Sequence, residues 1–487
     1  MTDDKHLLRI AVALIAVLTA VRVAVLIVSP LNLYPDEAQY WWWAQTPDFG
    51  YFSKPPLIAW IIWIATSMFG GSEWAIRIAS PVIHGGTALM LFAIGKRAGG
   101  ARLGFWSALA FATLPGIAYS CGLISTDVPL LFCWAVALYA FLRALDDKGW
   151  RWPILCGIAL GYGLLAKYAM LYFVVGAVAA ALVSHDARRL VLSARGAAIL
   201  LIGLVLLAPN IAWNAAHGFP TVGHTEANAD WANARYSIMS ALGFFVGQFG
   251  VFGPVLMAGF LVALWRLARA HVHREMDLIL AAFAVPPILI ITVQAFISEA
   301  NANWAAAAYV SATPLAVAAL LATARRWALW TSFAVDGLAM ALLWVVLVSP
   351  AAGDALGVGN AFKREEGWRQ LGAAVTTAAR AGSYDAIAVA NRSVIAELTY
   401  YARPRTVPLR MWDRDLHPDD HFQMTMRLTP KDRHVLLALL PGEGNVVLPD
   451  FASATPLTTI SIPIGGHHRR DVSLFDARGY RGPVTGR

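Results

Sequence analysis

Charge is scarce in this chain: Asp, Glu, Lys and Arg make up 14% of its 487 residues, and 58% are hydrophobic. A water-soluble globular domain carries about 25% charged residues, so a wholly soluble protein is excluded. A mean hydropathy of +0.57 agrees. Cysteine is scarcer still. Cys121, Cys133 and Cys156 are the only three, too few and odd in number for a disulfide framework. Cys133 and Cys156 fall inside apolar runs and read as packing residues. Walker, GxSxG, CxxC and HExxH motifs are all missing, which removes the common soluble nucleotide, serine, dithiol and zinc-peptidase chemistries. No solenoid-like repeat appears. The two halves show no inverted pair of broken helices of the kind many transporters use.

Apolar runs fill the space these absences leave. They predict membrane helices over 7–28, 74–95, 103–120, 128–145, 153–167, 169–184, 197–214, 238–265, 277–298, 304–323 and 328–349, most near the length that crosses a bilayer, with the fifth and sixth short. The first is too long for a signal-peptide core and lacks a small-residue cleavage site, so it reads as a retained signal anchor. Residues 57–69, with Trp60 and Trp63, suit an interfacial helix better than a span.

The formal net charge is +8, but the cations sit in short turns. Lys96, Arg97 and Arg102, then Arg143, Lys148 and Arg151, then Arg188, Arg189 and Arg195, then Arg266, Arg269 and Arg274, and finally Arg325 and Arg326 follow every second helix. That is the pattern of cytoplasmic loops. It argues for contact with membrane lipids and against nucleic acid. Lys5 and Arg9 put the N-terminus on the same side. The external loops are then 29–73, 121–127, 215–237 and 299–303, and no cytoplasmic stretch is long enough for a sugar-nucleotide fold.

After Pro350 charged residues return. "EEGWRQLGAAVTTAARAG" and "RSVIAELTYYA" read as helices; "YDAIAVA", "RTVPLRMW", "HVLLALLP" and "DVSLFDA" read as strands. The expected architecture is an all-α polytopic membrane domain over 1–350, with about 11–13 crossings, and a small external α/β domain over 351–487.

Ionisable residues at the external helix ends carry the chemistry. Asp36 and Glu37 stand beside Trp41, Trp42 and Trp43 at the membrane edge, where a carboxylate needs a partner; an ordinary helix start with Pro35 would also account for them. Asp127 opens the fourth predicted helix, with Ser125 or Thr126 as candidate caps. Lys54, fixed by Pro55 and Pro56, sits at the depth of a lipid phosphate, and Lys is a point-charge partner for phosphate. Lys167 interrupts an apolar run. His217, His224 and Glu226 form a loose constellation that matches no zinc motif. Glu299, Asn303 and Trp304 lie at another external helix end, and amides with an indole suit carbohydrate.

"YPDEAQYWWWAQTPDFGYFSKPPLIAW", "STDVPLLFCW", "GLLAKYAMLY" and "ANANWAAAAY" together resemble integral-membrane glycosyltransferases of GT-C fold. The likeness is to the bacterial branch with protein O-mannosyltransferases, lipid A aminoarabinose transferases and lipopolysaccharide galacturonic acid transferases. It covers roughly residues 7–350. The resemblance implies a polyprenyl-phosphate-linked sugar donor, a glycolipid or polysaccharide acceptor, and transfer at the periplasmic face of the bacterial inner membrane. It implies catalytic acids at Asp36 and Asp127. Donor phosphate would fall to Lys54, Lys167, Arg77 and Arg235, and sugar or acceptor to Glu37, Tyr40, Trp43, His224, Glu299, Asn303 and Trp304. Ser53 replaces the glutamate that aminoarabinose transferases carry in their Tyr-Phe-Glu-Lys-Pro-Pro motif, and Tyr168 follows Lys167 where relatives have glycine. No cofactor is expected, a divalent metal being the alternative. The rival reading is a flippase of lipid-linked sugars without glycosyl transfer.

Overall fold

In hydrocarbon the backbone has no water to bond, so apolar runs of this length satisfy their own N–H and C=O groups as helices. A computed structural model describes residues 2–269, 274–322 and 327–483; the predicted cytoplasmic pair Arg325 and Arg326 lies outside them. Among the described residues six helices are long and apolar enough to cross a membrane: Asp4–Val28, Glu73–Gly99, Asp127–Asp146, Ala194–Ala216, Glu275–Ile297 and Trp327–Val348. Shorter apolar helices are Leu57–Phe69, Arg151–Ala166, Tyr168–Val183 and Ala308–Leu321. This is a multi-pass membrane protein.

Of the eleven expected crossings, 153–167, 169–184 and 304–323 are the short helices Arg151–Ala166, Tyr168–Val183 and Ala308–Leu321, and two more are broken. Residues 103–120 form two helices, Ala101–Thr113 and Pro115–Ser120, because Leu114 precedes a proline and is driven out of helical backbone (ψ 135). The run 238–265 is a pair, Ile238–Val251 and Pro254–Arg269, bent by 113°. The bend holds Gly253 at φ +81, and a Cβ there would meet the Asp336 carboxylate at 2.5 Å.

The chain divides into two compact units. The first comprises Met1–Ile27, Lys54–Ile61 and Arg77–Trp344. Its core is aromatic and tightly interlocked: Phe173 meets Trp134 edge-on at 5.3 Å and Phe283 at 4.8 Å. At Gly104 a Cβ would lie 2.4 Å from the Phe92 carbonyl, so only glycine allows that helix approach. Arg22, 3% exposed in the C-terminal part of the first helix, donates to the Ala112 carbonyl at 2.5 Å. That carbonyl lies in the last turn of helix Ala101–Thr113 and lacks an intrahelical donor.

The second unit comprises Val28–Ser53, Ile62–Ile76 and Val345–Arg487. The expected boundary at 350 therefore marks only its last entry, and much of the first external loop belongs to it. Its five strands are β1 (Ala386–Val389), β2 (Leu409–Met411), β3 (His434–Leu439), β4 (Phe451–Ile464) and β5 (His468–Tyr480), ordered β2-β1-β3-β5-β4. β1 is parallel to β2 and β3; β5 runs antiparallel to β3 and β4. The predicted helices are Trp368–Ala381 and Arg392–Tyr401.

Backbone bonds stitch the early loop into this unit. Asn32 donates its N–H to Glu365 O at 2.9 Å, and its side-chain oxygen accepts from Trp368 N at 2.9 Å. Leu33 N donates to the Tyr401 hydroxyl at 2.7 Å.

Candidate active site

Each unit gathers one cluster of the acids that the sequence singles out. In the first unit Asp127 begins its helix, 8% exposed. Lys167 ends helix Arg151–Ala166 in extended backbone, φ −162 and ψ 134. That break in the helix directs its ammonium to Asp127 Oδ1 at 2.7 Å. The other carboxylate oxygen accepts from Asn303 Nδ2, also at 2.7 Å. Three residues from separate stretches of sequence thus form one site, in which the Lys167 ammonium is paired with Asp127. Nearby polar residues are equally tied. Gln248 donates to Phe244 O at 2.9 Å and to Ala302 O at 3.3 Å, and it accepts from the Tyr309 hydroxyl.

Arg235 and Glu299, expected on phosphate and sugar, pair with each other at 2.8 Å, both largely exposed. An exposed pair of this kind contributes about 0–1 kcal/mol. Arg77 is buried at 2% exposure. Lys54 is half-buried before the buried Pro55 and Pro56. His224 lies on helix Pro220–Ala229, and half-buried Trp304 packs on the hydrophobic core. Among the described residues no three His, Cys, Asp or Glu side chains gather as a metal donor set.

In the second unit helix Pro35–Ala44 starts on Tyr34, and Glu37 Oε2 accepts the Tyr34 N–H at 2.9 Å. Glu37, at 1% exposure, closes its own helix's first turn, so the ordinary helix-start reading holds for this acid. Asp36 differs, with its side chain 40% exposed and Oδ1 accepting from Arg392 Nη1 at 2.9 Å. The same nitrogen donates to Gln39 Oε1 at 2.9 Å. Gln39 in turn donates to Ser53 Oγ at 3.4 Å.

The tryptophans do not frame an open sugar pocket. Trp43 is 0% exposed, stacked on Tyr51 at 4.5 Å and 5°, and edge-on to His421 at 5.4 Å. Tyr40 is buried against Trp43 at 5.2 Å. Trp41 packs edge-on to Tyr400 at 5.0 Å, and the Arg403 guanidinium lies 4.3 Å from its ring centre. Burial removes Trp43 and Tyr40 from the expected sugar contacts. It also pushes the Tyr51 hydroxyl up to about 12 and the His421 imidazole down to about 4.

The profile of the dolichyl-phosphate-mannose-protein mannosyltransferase family matches residues 53–213. The lipid A galacturonosyltransferase RgtD of Rhizobium johnstonii is 35% identical over 391 residues, covering 78% of this chain and 80% of that protein. The chain belongs to this family of membrane glycosyltransferases. The lipopolysaccharide core galacturonosyltransferase RgtA of the same organism is 29% identical over 202 residues, 41% of this chain and 40% of that one. The crystal structure of ArnT from Cupriavidus metallidurans bound to undecaprenyl phosphate superposes with a TM-score of 0.67 at 17% identity, over 98% of this chain and 99% of that chain. The fold is therefore GT-C, over the C-terminal sheet as well.

Arg392 is the member of this glycosyltransferase's second cluster that sequence reasoning missed. It belongs to no motif. The available signal was positional: "VANRSV" follows a buried strand, and in open α/β sheets ligands bind beyond the carboxyl ends of parallel strands.

Proposed function

We propose that this glycosyltransferase moves a uronic acid, galacturonic acid first, from a polyprenyl phosphate to lipid A or lipopolysaccharide core. The supporting observation is the 35% identity that spans 80% of a lipid A galacturonosyltransferase. In this reading the acceptor hydroxyl attacks the anomeric carbon and its proton passes to Asp36. The carbon–oxygen bond to the lipid phosphate breaks, and its electron pair leaves on that phosphate. A single displacement inverts the anomeric centre. Cations clustered on alternate loops support a cytoplasmic N-terminus and a periplasmic C-terminal unit in the bacterial inner membrane.

The test uses purified protein in detergent with undecaprenyl-phosphate galacturonic acid and lipid A, read by mass spectrometry. A gain of one uronosyl residue on lipid A, persisting in EDTA, is the expected result. Detergent abolishes sidedness, so a flippase yields no product there. Transfer of a neutral or amino sugar in place of the uronic acid would overturn the donor assignment.

A further inference from the structure

Arg392 follows the carboxyl end of β1, the strand with parallel neighbours on both sides. Its side chain is 41% exposed. Both of its bonds, to Asp36 Oδ1 and Gln39 Oε1, leave from Nη1. Among the described residues nothing bonds Nε or Nη2, and neither is a sealed, unpartnered atom. Asp36 Oδ2 is in the same condition.

A plain ion pair between arginine and carboxylate favours the bidentate form, in which the guanidinium fork takes both oxygens. Here a single nitrogen is shared between Asp36 and Gln39. The Nε–Nη2 edge, the fork that matches a carboxylate or phosphate, carries no bond among the described residues and is not sealed.

We propose that Arg392 binds an anionic group of the substrate through its Nε–Nη2 edge while Nη1 keeps Asp36 in orientation. This rests on the proposed reaction, whose substrates carry three such groups: the carboxylate of the uronosyl donor, the phosphate that joins that donor to its lipid, and the phosphates of lipid A. The first and the last are absent from the neutral counterparts, and the fork is assigned to one of these two. One guanidinium then fixes the distance between the anion and the base. Asp36 Oδ2 stays available for the hydroxyl proton. The same device gives the enzyme a reason to prefer an acidic sugar or a phosphorylated acceptor to neutral ones.

The test measures KM and kcat for the wild type and for R392K and R392Q. Donors are uronosyl and hexosyl undecaprenyl phosphate; acceptors are lipid A with and without its phosphates. Arg392→Lys keeps the cation and loses the fork. Selectivity for the anionic partner over its neutral counterpart should fall roughly 10- to 100-fold, chiefly through KM. A penalty confined to the uronosyl donor assigns the edge to the sugar carboxylate; one confined to phosphorylated acceptor assigns it to phosphate. Equal kcat losses on charged and neutral partners would reduce Arg392 to a holder of Asp36 and overturn the proposal, as would no change in selectivity. Should both variants misfold, inhibition of the wild type by free galacturonate or inorganic phosphate gives the same discrimination. Competition against the anionic partner alone supports the site, and no competition from either counts against it. Thermal stabilisation by each ligand is recorded without turnover. A wild type that transfers nothing, yet loses anionic-ligand stabilisation in R392K, breaks the proposed reaction and leaves the site. A wild type that transfers, with R392K unchanged, breaks the site alone.

Discussion

Asp127 and Lys167 stand 40 positions apart in sequence and 2.7 Å apart in space, with side chains 11% and 20% exposed. Removing one partner from so enclosed a pair leaves an uncompensated charge, which costs about 3–5 kcal/mol in fully buried cases; residual exposure brings the expectation to roughly 1–3 kcal/mol. Lys167→Met and Asp127→Asn should each lower the melting temperature, and the double variant should recover much of the loss. Thermal denaturation in one detergent measures the coupling. Strictly additive losses would show that the two groups act independently.

Asp36→Asn retains the shape of the side chain and an oxygen for Arg392 while removing its basicity. Transfer to a hydroxyl should fall about 10²- to 10⁴-fold in kcat, with the melting temperature nearly unchanged. Steady-state kinetics on lipid A decides the point. An Asp36→Asn enzyme at wild-type kcat would remove Asp36 from the chemistry.

Trp43, sealed between Tyr51 and His421, is a folding residue. Trp43→Ala should destabilise the second unit by about 3–5 kcal/mol. Limited proteolysis would detect it as faster cleavage among residues 345–487. A variant that folds normally and loses only sugar affinity would restore the residue to the binding site.

His421 yields a pH prediction with a definite sign. Burial lowers its imidazole from 6.5 to about 4, partly offset by Asp48, and its Nδ1 is buried without a hydrogen-bond partner among the described residues. The unfolded chain therefore binds more protons between those two values, so stability rises with pH across that window. The contribution, on the order of 1–3 kcal/mol, is complete above about 6.5 and lost as pH falls toward 4. His421→Phe should flatten the melting-temperature profile over that interval. An unchanged slope would assign the acid sensitivity to other groups.

Hydrophobic runs were the most legible feature of the sequence. The interfacial run 57–69 is the helix Leu57–Phe69, and most crossings lie within a few residues of their predicted ends. Lys167 and Asp127 were each visible as ionisable interruptions near apolar runs. Their pairing depends on helix packing and left no local trace. The burial of Trp43 against Tyr51 leaves no mark in the sequence, because an indole beside a membrane edge has the same signature whether it faces headgroups or a buried tyrosine. β4 was invisible for a related reason. "FASATPLTTISIPI" is mostly exposed and contains Pro456 and Pro463, which an edge strand tolerates but no hydrophobic pattern announces. Arg392 escaped notice because its meaning comes from Asp36, 356 positions earlier.

That interval has a consequence for synthesis. Asp36 leaves the ribosome 356 positions before Arg392, and at about 5–20 residues per second the gap is on the order of 20–70 s. Throughout that time Val28–Ser53 is outside its finished unit, with Asn32, Leu33 and the buried tryptophans lacking their later partners. A ribosome that stalls before Arg392 releases a membrane-inserted product without a completed second cluster. The candidate base is oriented only once Arg392 has been added, so chains cut short of it carry no assembled copy of that cluster.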